Sequence, residues 1–260
     1  MGAAVSRVRA WLDATPLASI GLALMREATG RSEPLEAIIP VRPARLEADV
    51  RVGLWSLCGG VGTSTIAALV AQRSSAGGHA PLLMDLDRWA PSLALRARIE
   101  AATIVDVLVQ PDRERELVSR WADVPFLPGS PRLHGDFDGE RIAALARRLA
   151  HGRALVLDLG CGPEALDASV LACLTHLCVV SGGRASQLQA TFCARPLLRA
   201  VTCRVGLVAV GVEHDDAALI AGRVSLPLLA GVPHDEFLAR DEFAARAPTM
   251  RAIDALIRSL

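Results

Sequence analysis

Residues 56–65 read SLCGGVGTST and lie between an apolar run, VRVGLWSL, and a run of helical composition, TSTIAALVAQRSS. Glycines at 59, 60 and 62 let a backbone curl so that successive N–H groups point inward, and a helix that follows adds the positive end of its dipole. A loop of that kind cradles phosphates. Ser64 stands where a hydroxyl ligates magnesium in a phosphate loop. Two later apolar runs end in carboxylates: LLMDLD carries Asp85 and Asp87, and LVLDLG carries Asp158. Carboxylates at the carboxyl ends of strands beside such a loop hold magnesium or orient an attacking water. Taken singly, the glycines fit a tight turn and each aspartate fits a helix cap; their order along one chain favours the phosphate reading. The lysine that usually grips phosphates is missing. The chain has none, and its 28 basic residues are all arginine.

The elements needed to position these residues can be read from periodicity. Apolar runs at VRVGLWSL, APLLMDLD, ADVPFLP, ALVLDLG, HLCVVSG, CRVGLVAVGV and LPLLAGVP are strand candidates. Helical patterns fall between most of them. Ile142, Leu145, Ala146 and Leu149 repeat at i, i+3, i+4, i+7, as do Ile253, Leu256, Ile257 and Leu260. Alternation of this kind predicts an α/β fold, a mostly parallel sheet with helices on both faces, whose ligands bind at the carboxyl ends of the strands. This domain is expected over residues 49–260. Residues 1–48 read as a helical extension and proline-rich linker: two short helices, the second with Thr15 as cap and Pro16 in its first turn, precede Pro34, Pro40 and Pro43. The extension either packs on the main domain or serves as a docking or membrane-surface helix, with Arg7, Arg9, Arg26 and Arg31 on its polar face.

Composition sets the outer limits. The 260 residues carry formal net charge zero, so no bulk field draws the chain to nucleic acid or acidic lipid. The six cysteines form no CxxC pair and no zinc-like spacing with histidine; they read as buried free thiols in a reducing cytosol. No signal-peptide pattern opens the chain, and the apolar run PLASIGLALM is too short to span a bilayer. A soluble cytoplasmic protein is expected.

CGGVGTST resembles the deviant Walker A loop, KGGVGK[ST]T, of the MinD/ParA group of P-loop ATPases. LLMDLD is similar to that group's second acidic motif, ALVLDLG to its Walker B strand, and AGVPHDEF to the loop flanking its adenine. The resemblance covers residues 50–260. It implies ATP or ADP with magnesium as ligand. It implies that Cys58, Gly59, Gly60, Val61, Gly62, Thr63, Ser64 and Thr65 form the phosphate loop, and that Pro233, His234 and Asp235 flank the base. By the same resemblance Ser64 ligates the metal, Asp85 and Asp158 stand near it, and Asp87 orients the hydrolytic water.

The departures carry information too. Cys58 replaces the lysine that crosses a dimer interface in that group, and Thr63 replaces the lysine that holds the β- and γ-phosphates in the same subunit. Loss of one such positioned charge costs on the order of 3–4 kcal/mol in the transition state. The chain also has no asparagine to read adenine after the GLVAVGV strand. Three readings stay open: a nucleotide-binding, hydrolysis-poor positioning or scaffold factor; a slow but active ATPase in partition or septum placement; and a ligand-free pseudo-ATPase. Lysine-poor loops of this type resemble the TadZ/CpaE branch and eroded septum-site proteins. That implies a homodimer and a protein partner in a polar, pilus/secretion or septum assembly.

Overall fold

Parallel pairing follows from the periodicity, because each apolar run is separated from the next by enough chain for a crossover helix. A computed structural model describes residues 43–135, 137–212, 214–238 and 245–260, with only the backbone of His214. The helices expected before residue 34, with Thr15, Pro16 and the polar-face arginines, lie outside the described residues. Eight strands form one sheet: β1 (Arg51–Ser56), β2 (Leu82–Asp85), β3 (Ser119–Trp121), β4 (Val124–Leu127), β5 (Leu155–Cys161), β6 (His176–Gly182), β7 (Arg204–Val210) and β8 (Leu228–Val232). Their order is β3-β4-β2-β5-β1-β6-β7-β8. All pairs are parallel except β3 with β4.

The helices are α1 (Thr63–Ala76), α2 (Leu93–Ala97), α3 (Ile104–Leu108), α4 (Gly139–Leu149), α5 (Ala168–Leu171), α6 (Ala185–Leu198), α7 (His214–Val224) and α8 (Ala247–Ser259). They cover both faces. Val52 and Leu54 of β1 pack with Ile66 and Leu69 of α1 and with Ile253 and Leu256 of α8. Trp55 points the other way, into a layer with Leu145 of α4, Val170 of α5 and Val224 of α7. This is the period-2 alternation of a strand buried on both sides. The repeats at 142–149 and 253–260 are thus the buried stripes of α4 and α8.

Residues 43–48 belong to this body. Leu46 is buried in the α1 layer and its N–H donates to Ser74 Oγ at 2.9 Å. The Ala44 N–H donates to Asp254 Oδ1 at 2.9 Å. The chain here passes so close to Gly77 that a β-carbon there would stand 2.9 Å from the Ala44 carbonyl oxygen. The six cysteines are free thiols, but burial holds for Cys173 and Cys178 alone, while Cys193 on α6 is exposed. Among the described residues no helix is long and apolar enough to cross a membrane.

Candidate functional site

β1 lies between β5 and β6, the point at which the chain changes from building one side of the sheet to building the other. The loops leaving these three strands therefore meet at one edge, where an open α/β sheet has its crevice. A cavity of about 800 Å³ lies there. Its floor is the loop from Gly59 to Thr65. Gly60 and Gly62 have φ of +75° and +94°, in the left-handed region that glycine enters without a steric penalty. Gly62 is also the N-cap of α1, and its carbonyl accepts the first helical bond, from Ile66 N–H at 2.9 Å. The leading N–H groups of a helix have no partner within it, so the start of α1 offers donors to an anion at this floor.

The loop is braced from within. Thr63 Oγ1 donates to Ser56 Oγ at 3.1 Å, and Ser56 Oγ donates to the Cys58 carbonyl at 2.8 Å. Thr63 is buried by this arrangement, so the residue in the lysine position ties the loop to β1. From β6 and α6, Gln187 Nε2 donates to the Gly60 carbonyl at 3.4 Å. Cys58 is half-buried, and burial pushes its thiol up; Cys161, at the end of β5, is pushed up by burial and by the Asp87 charge.

Three aspartates collect at the ends of β2 and β5. Asp85 and Asp158 face each other across the two strands, and both are buried. Burial and the Asp158 charge push the Asp85 carboxyl well up. Both of its oxygens are engaged by backbone: Oδ1 accepts from Asp87 N–H at 3.1 Å and Oδ2 from Leu93 N–H at 3.3 Å. Asp85 therefore shapes the turn from β2 to α2 and does not line the cavity. Asp158 Oδ1 accepts from Gly160 N–H at 3.0 Å, while Oδ2 is buried without a hydrogen bond. Its carboxyl is pushed up to about 6 by burial, against the nearby Ser64 hydroxyl, which acts to lower it. Asp87 lines the cavity and is buried to 7% exposure; its Oδ1 accepts from the N–H groups of Trp89 and Ala90 at 2.9 and 3.1 Å.

The far wall comes from β7 and β8. Gly211 and Val212, just after β7, line the cavity, and so do Pro233, His234 and Asp235. The Asp235 carboxylate serves α8. Oδ2 accepts from Arg246 N–H and Thr249 Oγ1, each at 2.7 Å, and Oδ1 accepts from Phe237 N–H at 3.1 Å. Burial alone would raise Asp235, but these donors outweigh it and hold the carboxyl below its usual range. Asp235 is thus a cap for the C-terminal helix as well as a wall residue.

Among the described residues no group of three or more His, Cys, Asp or Glu side chains is placed to hold a metal by itself. Ser64 lines the cavity and the buried Asp158 carboxyl lies near its hydroxyl; these oxygen donors suit magnesium, which Ser64 would hold with Asp158 behind it. The structure brings Gly59–Thr65, Asp87 and the 233–235 segment to one cavity, while Cys58 and the buried pair Asp85 and Asp158 do not line it. Two contributors, Gln187 and Arg96, carry no recognisable motif in the sequence. Arg96 reaches the loop from 31 residues away, and only the packing of α2 beside α1 places it there.

No family model matches the sequence, and no curated protein matches it. Solved structures do. A ParA family ATPase from Chlorobium tepidum superposes with a TM-score of 0.68 at 18% identity, over 82% of this chain and 100% of that one. The septum site-determining protein MinD of Pyrococcus horikoshii, complexed with Mg-ADP, gives 0.67 at 18% identity, over 80% and 94%. The MinC:MinD cell division protein complex of Aquifex aeolicus gives 0.68 at 16% identity, over 80% and 94%. The fold is that of the MinD/ParA P-loop ATPases, as the resemblance implied.

Proposed function

We propose that this chain binds ATP or ADP with magnesium in the cavity above residues 59–65, hydrolyses it poorly, and works as a dimerising positioning or scaffold factor. The observation that carries the reading is the juxtaposition of an intact glycine cradle with an unsatisfied Asp158 Oδ2 beside Ser64, in a loop whose two lysine positions hold Cys58 and Thr63. The cradle, the start of α1 and Ser64 supply ground-state binding. Magnesium, when bound, would neutralise phosphate charge. Asp87, held at the cavity wall, would orient water. What is lacking is lysine charge on the loop itself, which in phosphoryl transfer stabilises the transition state.

The fold is compatible with a protein partner, since the Aquifex relative is a complex of MinD with MinC. Trp89 and Leu95, at 56% and 81% exposure, offer apolar surface next to Asp87 and Arg96 in the chain. The partner we propose belongs to a polar, pilus/secretion or septum assembly, with the chain acting in the cytoplasm.

Titration calorimetry of the full chain with Mg·AMPPNP tests this. A dissociation constant in the micromolar to millimolar range, about −8 to −4 kcal/mol, is expected, with ATP turnover near background. No heat at millimolar ligand would remove the binding claim and promote the ligand-free reading. Turnover typical of an ordinary ATPase, lost in Asp87→Ala, would promote the active one.

A further inference from the structure

Although the loop has no lysine, a cation stands against it. Arg96 on α2 donates from Nη1 to Thr65 Oγ1 at 3.0 Å. Thr65 is the third residue of α1 and directly follows Ser64, so the guanidinium is tied to the turn that forms the cavity floor. The side chain is half-buried and lines the same cavity as Gly60, Gly62 and Ser64. Its field reaches Asp158 and acts to lower that carboxyl.

The backbone that carries Arg96 is anchored. Leu93 is fully buried in the α1 layer, and its N–H donates to Asp85. The Arg96 N–H donates to the Ser92 carbonyl at 2.9 Å. Asp85, which does not reach the cavity, therefore fixes the helix that brings a positive charge to it. The neighbouring arginines are placed differently. Arg88 lies over the Phe137 ring, 3.2 Å from its centroid, in the field of Asp167 and Glu164. Arg184 lines the cavity but is exposed, at the start of α6.

We propose that Arg96 supplies the phosphate-binding cation of this cavity in place of the two loop lysines, so that the charge comes from α2 of the same subunit. This rests on the reading of the cavity as a nucleotide site. A guanidinium is planar, stays charged at any working pH and carries five N–H donors, so it serves more than one acceptor at once. Placed beside Thr65, it compensates ligand charge in the ground state without occupying the lysine position at residue 63. Binding is then retained where hydrolysis is weak.

The test is calorimetry on the full chain with two probes, Mg·AMPPNP and Mg·tripolyphosphate, which lacks sugar and base. Arg96→Gln is expected to weaken both by about tenfold or more, since a charge-assisted contact is lost. Arg96→Lys keeps the charge but loses the planar fork, so it should bind both probes more tightly than Arg96→Gln and less tightly than the natural chain. Thr63→Lys added to Arg96→Gln should restore affinity, because it returns a cation to the phosphates from the loop. Melting of each variant without ligand separates lost charge from lost Thr65 bonding. If the natural chain binds AMPPNP and Arg96→Gln binds it equally well, the proposal is overturned while the nucleotide site stands. If Arg96→Gln lowers melting and affinity together and Thr63→Lys restores neither, Arg96 is a brace and the proposal again fails. If the natural chain binds neither probe, the nucleotide reading itself falls and this proposal falls with it.

Discussion

Asp87 rests on Gly160. A β-carbon at position 160 would stand 2.5 Å from Asp87 Cγ, closer than any real contact, and Gly160 has φ of +69°. The end of β5 is thus shaped to seat the carboxylate that follows β2, and the same glycine's N–H binds Asp158.

Gly160→Ala should therefore displace Asp87 as well as strain the backbone. Gly78 provides the control, because its φ is +92° and nothing lies within 4 Å of a β-carbon there. Each alanine should cost about 1–2 kcal/mol of stability from the left-handed backbone alone. Only Gly160→Ala should also abolish residual ATP turnover, measured against the background of Asp87→Ala. Equal effects of the two alanines on turnover would show that Asp87 does not depend on this seat.

Restoring lysine should matter more at position 63 than at 58. Residue 63 opens α1 on the cavity floor, and its present side chain is held inward by Ser56 at 3.1 Å. A lysine there must leave that bond and extend into the cavity, where it meets phosphate within the same subunit. Residue 58 precedes the glycines, and in the resembled group its lysine acts across a dimer. Thr63→Lys is expected to tighten Mg·AMPPNP by about 1.5–3 kcal/mol before desolvation is subtracted, and to raise single-turnover hydrolysis above Cys58→Lys. No change in affinity or rate would remove the phosphate-cradle reading of residues 56–65.

All seven strands expected from apolar runs are present, and so are both helical repeats, because each buries a regular stripe whose period survives in composition. The eighth strand, β3, escaped that reading. It has three residues, SRW, and it joins β4 through a two-residue turn at Ala122 and Asp123. Ala122 adopts φ of +50°, where a hairpin of this kind normally announces itself with asparagine or glycine. The site was legible where one stretch holds it, as in residues 59–65. It was not legible where tertiary packing assembles it. Nothing in LALRA says that Arg96 meets Thr65, and nothing in VPHDEF says that Asp235 caps α8.

Asp254 locks α8 to α1. Arg73 Nε and Nη2 donate to its two oxygens at 2.7 and 2.6 Å, and the carboxylate is buried. Burial alone would raise this carboxyl, but Arg73 and the Ala44 N–H outweigh it and hold it below its usual range. The stabilisation is therefore present above the unfolded value near 3.8 and is lost as pH falls through the lower folded value. Asp254→Asn should cost on the order of 3 kcal/mol at pH 7, because Arg73 keeps its charge without a counter-ion. The gap between natural and variant melting should begin to narrow as pH falls below about 3.8 and should close only below the lower folded value. A gap that persists unchanged at pH 3 would mean that packing, not charge, links the two helices.

The start of the α/β body can be located by cutting on either side of it. A chain beginning at residue 43 keeps Leu46 in the core and the Ala44 bond to Asp254; a chain beginning at 49 loses both. Exposing one fully buried leucine costs about 1.5–3 kcal/mol, and a hydrogen bond to a charged carboxylate contributes about 1.5–3 more. The shorter chain also leaves Ser74 Oγ and the surface above Gly77 without the segment that covers them. Equilibrium urea unfolding should therefore give the chain from 49 a stability lower by roughly 3–6 kcal/mol than the chain from 43, with a similar m-value. Since domains have only about 5–15 kcal/mol in total, the shorter chain should stand near the edge of folding at 37 °C. Equal midpoints for the two would mean that residues 43–48 lie on the surface without contributing to the core.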